Sequence, residues 1–260
     1  MANPVTPEKC VSPNLDALSR GVAEEMVRLA RAAIDERGHF TLVLAGGGTP
    51  RKLYQVLAQS YGEQIPWSRV HLFFGDERCV PPDHPQSNFA MAFQTLISKI
   101  RIPSQNINRI PAEMEPTEKA ADAYEEVLWQ FFRPSGKEGS SFSFDLILLG
   151  MGKDGHTASL FPGDRALQED HRWVVAVNAP PNTQPRQRIT LTLSVINKAR
   201  QVFFLVSGDE KRGVVRSILE TPEKAYKLYP AARVRPRERL LWFLDHAAYP
   251  QCGEGVEYKT

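Results

Sequence analysis

The chain has 260 residues, of which 42% are hydrophobic and 24% charged, and its formal net charge is +2. This length and composition are typical of a globular protein with one large domain or two small ones, able to bury a core without disulfides or a metal. The near-balanced charge argues against nucleic-acid binding and membrane-surface binding, both of which need a persistent basic field.

The first residues of the chain and its cysteines bear on its cellular location. Residues 1–14 contain three prolines and few apolar side chains, so we expect a loose arm and no signal peptide. No stretch reaches the ~20 apolar residues of a membrane helix. Cys10, Cys79 and Cys252 are far apart and odd in number, which predicts neither a disulfide framework nor a zinc site. A cytoplasmic location is therefore expected.

A helix, a buried strand and a second helix are predicted in the next part of the chain. Apolar residues recur at helical spacing from Leu15 to Ile34. The apolar run Phe40–Ala45 predicts a strand, which Gly46-Gly47-Gly48 ends. Thr49 and Pro50 then predict a helix start, with the threonine as N-cap and the proline at the first helical position.

The rest of the chain repeats this alternation. Further strands are predicted at Val70–Phe74, Phe144–Leu149, Trp173–Val177, Gln201–Val206 and Leu240–Leu244. Helical segments such as Ala120–Phe132 lie between them, and the alternating run Ile189–Leu193 fits either a strand or a helix start. Apolar strands that alternate with helices are typical of a parallel sheet covered on both faces. We therefore predict one Rossmann-like, mostly parallel α/β domain over residues 15–250, a loop at Arg133–Ser143 and a tail at 251–260.

Ligands of open parallel sheets bind beyond the carboxyl ends of the strands, and four predicted strands end in polar or glycine-rich loops. In Ala45–Pro50, backbone amides and a helix N-terminus favour a phosphate, although a tight turn without a ligand is the alternative. The loop is not a P-loop, because Lys52 is misplaced for that motif. In Ser207–Lys211 a lysine stands at a helix start, where cations are disfavoured, so either an anion binds there or Lys211 is simply exposed.

The other two loops carry ionisable side chains. Gly75-Asp76-Glu77-Arg78 is consistent with local ion pairing or with an arginine that binds a phosphate or carboxylate. Residues 150–156 contain Gly-x-Gly-x-x-Gly, but the next predicted strand ends without the acidic residue that a dinucleotide ribose requires. The feature that distinguishes this loop is His156, which follows Asp154 closely and is a candidate general base.

In these loops the chain resembles the 6-phosphogluconolactonases, which belong to a wider group that includes the glucosamine-6-phosphate deaminases. The resemblance rests on ordered blocks from about residue 40 to 248, namely Leu44–Pro50, Gly75–Arg78, Ser87-Asn88, Gly150–Pro162, Arg188–Thr192, Ser207-Gly208 with Lys211, and Trp242–Asp245 with Ala247-Ala248. Each block alone is unspecific, but their order along most of the chain is informative.

The resemblance implies hydrolysis of 6-phospho-D-glucono-1,5-lactone, in the oxidative pentose phosphate pathway, without a cofactor or metal. It implies that His156 is the base, that Asp154 supports its loop or imidazole, and that Arg78 and Lys211 face the phosphate and the developing charge. The same resemblance assigns the phosphate side to Gly46, Gly47 and Thr49 and a less defined role to Arg188. It aligns Asp76 with an acid of the deaminases, here a substrate-side or structural residue.

Two other functions are weighed against lactone hydrolysis. Where the deaminases carry a glutamate before the proline, this chain has Phe161, and an apolar ring cannot transfer protons. A non-catalytic sugar-phosphate sensor of this fold would be expected to carry a helix-turn-helix segment of ~60 residues, which is absent. The expected partner is therefore a small phosphosugar lactone, and the chain is expected to be a monomer or a small homo-oligomer.

Residues 211–239 contain nine basic and three acidic residues, an uneven distribution that the overall charge conceals. Within this segment, Arg233, Arg235, Arg237 and Arg239 alternate, and would lie on one face of an extended chain. A solvated face is the favoured interpretation, and attraction of an anionic substrate is the alternative.

Overall fold

The computed structural model describes residues 5–133 and 142–249 of the chain. In chain order the strands are β1 Glu8–Ser12, β2 Phe40–Leu44, β3 Val70–Phe74, β4 Asp76–Arg78, β5 Leu146–Leu149, β6 Val174–Asn178, β7 Gln187–Leu191, β8 Gln201–Val206 and β9 Arg239–Asp245. Six of them form a parallel sheet in the order β1-β9-β8-β5-β2-β3. The predicted open, parallel α/β sheet is confirmed.

Helices flank this sheet, and the apolar periodicity of their sequences accounts for the way they pack. They are α1 Leu15–Arg37, α2 Gly48–Val56, α3 Asn88–Thr95, α4 Thr117–Phe132, α5 Leu193–Ile196, α6 Arg212–Glu220 and α7 Pro222–Leu228. In α1, Leu18, Val22 and Met26 lie on one face and are fully buried. The helix starts at an Asn14 cap and ends at Gly38, whose φ of 80° suits a glycine. None of the helices in the described residues is long and apolar enough to cross a membrane.

A second, three-stranded sheet lies beside the first and corrects one sequence prediction. Its order is β4-β7-β6, and both pairings are antiparallel. The run Trp173–Val177 was expected in the parallel sheet, but its strand belongs to this small sheet. The run Ile189–Leu193, which fitted either a strand or a helix start, contains both: β7 ends at Leu191 and α5 begins at Leu193.

Two further expectations about local structure are wrong. The arm predicted at residues 1–14 contains β1, which pairs in parallel with β9 from Glu8↔Leu241 to Ser12↔Asp245 and so forms the sheet edge. Thr49 is not the N-cap of α2, because the helix begins at Gly48 and Gly47 occupies the cap position without a side-chain hydrogen bond. The tail at 251–260 and most of the loop at 133–143 lie outside the described residues.

The order of the strands determines where a ligand can bind. From β2 the chain moves outward to β3, and then returns to the other side of β2 through β5, β8 and β9. The connections therefore diverge between β2 and β5, which leaves a crevice beyond their carboxyl ends. The glycine-rich loop after β2 and the histidine loop after β5 face each other across it.

Candidate active site

A cleft of about 420 Å³ lies at the carboxyl ends of the central strands. That volume is within the range of small-molecule sites, ~300–1,000 Å³. Its walls come from all four loops that the sequence analysis compared. The lining residues are Ala45–Pro50, Gly75, Asp76, Arg78, Leu148–Gly152, His156, Ala158, Phe161, Thr183, Gln184, Arg188, Leu205 and Lys211. The four loops therefore line one cleft, and its role as a site stays a prediction.

His156 and Asp154 form a hydrogen-bonded pair in the loop after β5. Nδ1 of the imidazole lies 2.6 Å from Oδ1 of Asp154, and the backbone N–H of His156 donates to the same oxygen at 3.2 Å. Burial opposes ionisation of Asp154, but the hydrogen bonds and the charge of His156 outweigh it and lower the pKa of this carboxyl. With Nδ1 engaged, Nε2 is the nitrogen left to accept a proton from a bound water.

Two glycines allow the histidine loop to close on itself. A Cβ on Gly152 would lie 2.2 Å from the His156 ring, so only glycine permits this approach of the backbone. Gly155 has a φ of +77°, and a Cβ there would meet the Tyr229 side chain at 2.5 Å. The ring of Phe161 packs against the imidazole, at a centroid distance of 4.9 Å. Gly155, the third glycine of the Gly-x-Gly-x-x-Gly motif, is thus needed for packing against Tyr229. The strand that follows the motif, β6, belongs to the small sheet, whereas in a dinucleotide-binding βαβ unit it would be in the parallel sheet.

Arg78 and Arg188 lie directly opposite each other on β4 and β7. Nη1 of Arg78 donates to the Gln86 carbonyl at 2.6 Å, and Nε of Arg188 donates to the Pro185 carbonyl at 2.7 Å. Nε of Arg78 is buried without a hydrogen-bond partner among the described residues. Burial and the charge of Arg78 lower the pKa of Arg188, although Asp76 and Glu77 oppose the effect. The two guanidinium groups thus concentrate positive charge at the cleft.

The loop after β8 brings Lys211 to the same cleft. Its side chain is largely buried, and its ammonium group lies 3.9 Å from Glu210, the limit of an ion pair. Asp245, at the end of β9, accepts hydrogen bonds from Ser207 and from the Gly208 amide, which fixes the loop. Gly208 has a φ of +105°, a conformation that favours glycine.

The glycine-rich loop after β2 presents the start of α2 to the cleft. Gly47 has a φ of +102°, and because α2 lacks a side-chain cap, the amides of its first turn are available to an anion. A Cβ on Gly46 would lie 1.9 Å from Oδ1 of Asn88, which explains the requirement for glycine there. Thr49 lines the cleft from the first turn of the helix.

Asp76 lines the cleft as a buried carboxylate whose two oxygens are both engaged. Oδ1 accepts a hydrogen bond from the Asn88 amide group at 3.1 Å, and Oδ2 accepts one from the Ser159 hydroxyl at 2.7 Å. Glu77, also buried, accepts hydrogen bonds from the backbone N–H of Arg78 and from two backbone N–H groups at the start of α3. The sequence analysis did not single out Ser159. Its place in the block after His156 was the only available signal.

The structure thus brings nearly all of the predicted site residues together. His156, Arg78, Gly46, Gly47, Thr49, Asp76, Arg188 and Lys211 line the cleft, and Asp154 supports His156 from behind. The alternating arginines do not form the predicted extended face. Arg233 is at the end of a short 3-10 helix, over the Tyr226 ring, and Arg239 pairs with Glu8 and Glu25 at the amino end of β9. Arg239 is therefore at the opposite end of the sheet from the cleft.

Comparison with known proteins gives consistent results. A sequence model of the family described as glucosamine-6-phosphate isomerases/6-phosphogluconolactonase matches residues 13–242. A 6-phosphogluconolactonase of Synechocystis is 43% identical over 224 residues, which are 86% of this chain and 88% of the relative. The solved 6-phosphogluconolactonase of Trypanosoma brucei superposes with a TM-score of 0.81 at 29% identity, covering 94% of this chain and 98% of that one. A monomeric glucosamine-6-phosphate deaminase shares the fold, with a TM-score of 0.74 at 21% identity over 93% and 98% of the two chains.

Proposed function

Because this chain belongs to the glucosamine-6-phosphate isomerase/6-phosphogluconolactonase family, we propose that it hydrolyses 6-phospho-D-glucono-1,5-lactone to 6-phosphogluconate. The observation that carries the proposal is the placement of the Asp154–His156 pair in the same cleft as Arg78, Arg188 and Lys211. A general base beside a concentrated positive charge suits a neutral electrophile that carries an anionic phosphate handle. The names of relatives such as the Synechocystis 6-phosphogluconolactonase support the choice of substrate.

The phosphate is assigned to the glycine-rich loop and the cations that face it. Backbone amides of Gly46, Gly47 and the first turn of α2, together with the Thr49 hydroxyl, supply hydrogen-bond donors to the phosphate oxygens. Arg188 and Lys211 supply the charge. A bound anion also offsets the unfavourable interaction between the Lys211 charge and the positive end of the α6 dipole. Binding energy from the phosphate then orients the distant lactone carbonyl toward His156.

His156 is assigned as the general base. Nε2 takes a proton from water as the water oxygen attacks the lactone carbonyl carbon, and Asp154 stabilises the imidazolium that results. Stabilisation of the negative charge that develops on the carbonyl oxygen is assigned to Arg78, whose Nε has no hydrogen-bond partner among the described residues. When the tetrahedral intermediate collapses, the bond from this carbon to the ring oxygen breaks and the ring oxygen takes the proton from Nε2. The carboxylic acid formed then ionises to 6-phosphogluconate.

Isomerisation or deamination of an amino-sugar phosphate is the alternative within the family. Two observations disfavour it. Phe161 packs an apolar ring against His156, where a second proton-transfer group would be needed, and both oxygens of Asp76 are already engaged by hydrogen bonds. A non-catalytic sugar-phosphate-binding protein is the alternative outside enzymes, and the hydrogen-bonded base in the cleft disfavours it.

One assay with three substrates tests the proposal. The full chain is mixed with freshly made 6-phosphoglucono-1,5-lactone, and 6-phosphogluconate is followed by a coupled dehydrogenase. Unphosphorylated glucono-1,5-lactone tests the phosphate handle, and ammonia release from glucosamine 6-phosphate tests deamination. We expect rapid hydrolysis of the phosphorylated lactone, much slower hydrolysis of the unphosphorylated one and no ammonia. A rate equal to spontaneous hydrolysis in the first arm would exclude the proposed activity.

A further inference from the structure

We propose that Ser159 is a positioning residue for His156, and that it acts through Asp76 and Asn88 as a brace across the cleft. The term brace is used below for these three residues, Ser159, Asp76 and Asn88. The proposal rests on the lactonase function for its kinetic test and on the geometry alone for its structural test.

The histidine loop, from Gly150 to Leu160, contains turns and the isolated bridge Thr157↔Leu160 but no helix. Its internal backbone hydrogen bonds, and the one that Gly155 accepts from the Ala231 N–H, do not attach it to the small sheet, so that attachment needs another anchor. Ala158 has a φ of +48°, in the left-handed region that a non-glycine residue adopts only at an energetic cost. Such a conformation persists only where neighbouring contacts determine it. His156 is two residues before this strained position.

Ser159 supplies that anchor from a fully buried position. Its hydroxyl donates to Oδ2 of Asp76 at 2.7 Å, and its backbone N–H donates to the Thr190 hydroxyl oxygen at 3.2 Å. Asp76 and Thr190 are directly opposite each other on β4 and β7. Ser159 is therefore attached, by side chain and backbone, to one pair of residues in the small sheet, which also carries Arg78 and Arg188.

Asp76 extends the same connection to the glycine-rich loop. Its other oxygen and its backbone carbonyl both accept hydrogen bonds from the Asn88 amide group, at 3.1 and 2.9 Å. The Asn88 side chain in turn fills the space beside Gly46, where a Cβ would be 1.9 Å from Oδ1. The brace thus fixes the histidine loop relative to the loop assigned to the phosphate. With both oxygens engaged, Asp76 acts through geometry and transfers no proton.

The kinetic test compares Ser159→Ala with a matched variant, Ser19→Ala. Ser19 is also fully buried and its hydroxyl donates at 2.7 Å, but to the Leu15 carbonyl within α1. We expect Ser159→Ala to lower kcat about 10- to 100-fold, because small displacements of a catalytic group have effects of this order. KM should change less than about threefold, since the phosphate donors are on other elements. Ser19→Ala should keep the wild-type kcat.

Two further variants separate geometry from charge at Asp76. In Asp76→Asn, the side chain can still accept from Asn88 and can donate to the Ser159 oxygen, whereas Asp76→Ala removes both bonds. We expect Asp76→Asn to retain at least about ten times the kcat of Asp76→Ala, as a positioning role requires. Equal losses in the two variants would assign a direct electrostatic or proton-transfer role to Asp76 and overturn the proposal. This comparison decides the question even if Ser159→Ala does not fold.

A structural readout keeps the brace distinguishable from the lactonase function. Hydrogen–deuterium exchange of peptides that cover residues 150–162 should accelerate in Ser159→Ala and in Asp76→Ala but not in Ser19→Ala. If the wild-type chain lacks lactonase activity while this pattern holds, the proposed function fails and the brace stands. A wild-type kcat in Ser159→Ala, or unchanged exchange of these peptides, contradicts the brace.

Discussion

Arg78 on β4 and Arg188 on β7 are directly opposite each other in the pairing of these two strands, and both residues line the same cleft. Like charges at directly opposed positions destabilise a sheet. Glu77, the adjacent acidic residue, forms no ion pair with either guanidinium group in the part of the chain that the structure describes, and it accepts backbone hydrogen bonds from Arg78 and from the start of α3. The cost of this arrangement is understandable if a bound anion offsets it, and the phosphate of the proposed substrate is such an anion.

Arg188→Met should therefore weaken phosphate binding more than it affects turnover. We expect KM for the phosphorylated lactone to rise at least about tenfold, in line with loss of a charge-assisted hydrogen bond, while kcat changes less. Inorganic phosphate should raise the melting temperature of the wild-type chain, and the shift should be lost in the variant. Arg20→Met, at an exposed position paired with Asp16, is the control and should keep the shift. An equal phosphate effect in wild type and Arg188→Met would contradict the assignment.

Much of this site could be predicted from the sequence, because strand ends are local features. Val70–Phe74 and Gln201–Val206 are mostly apolar runs, each followed by a loop that contains glycine and polar residues, and the structure gives both strands the same bounds. Because the strands of a parallel sheet all run in the same direction, the loops that follow them lie at the same end of the sheet. That rule brings the four predicted loops to one cleft, whereas Arg188, on β7 of the small sheet, was expected there only from the family resemblance.

The parts that were missed depend on contacts between distant segments. β1 has an unremarkable sequence, Glu8–Ser12, and is a strand because β9 offers it an unpaired edge. β6 resembles a parallel strand in composition, and only its pairing with β7 places it in the small sheet. The opposition of Arg78 and Arg188 likewise depends on strand register, which neither segment reveals alone.

The Asp154–His156 hydrogen bond makes a prediction about titration. Burial alone would raise the pKa of Asp154, but the bond and the charge of His156 lower it below the ordinary 3.8. Because this acid has a lowered pKa in the folded state, its contribution to stability is present above pH 3.8 and is lost as the pH falls through the lowered value. Carbon-13 NMR of the Asp154 carboxyl should give a midpoint below 3.8, and His156→Ala should move it upward. A midpoint that does not respond to His156→Ala would show that the pair does not form in solution.

Gly46 and Gly48 should respond differently to alanine although they are two residues apart. A Cβ on Gly46 meets Asn88 at 1.9 Å, whereas a Cβ on Gly48 has no atom within 4 Å. We expect Gly46→Ala to lower the free energy of unfolding by about 1–3 kcal/mol, as overpacking does. Gly48→Ala, at the first position of α2, should leave it unchanged or slightly higher. Chemical denaturation of both variants checks this, and equal stability would contradict the close approach of Asn88.

The role of His156 as the base is the central claim, and a comparison of two histidines tests it most directly. His171 also lies beside an aspartate, Asp170, but is 92% exposed and does not line the cleft. The measurement is kcat for 6-phosphoglucono-1,5-lactone in His156→Ala and His171→Ala, with circular dichroism to show that both are folded. Loss of a general base should lower kcat about 10²–10⁴-fold in His156→Ala, with wild-type turnover in His171→Ala. Wild-type turnover in a folded His156→Ala variant would contradict the account.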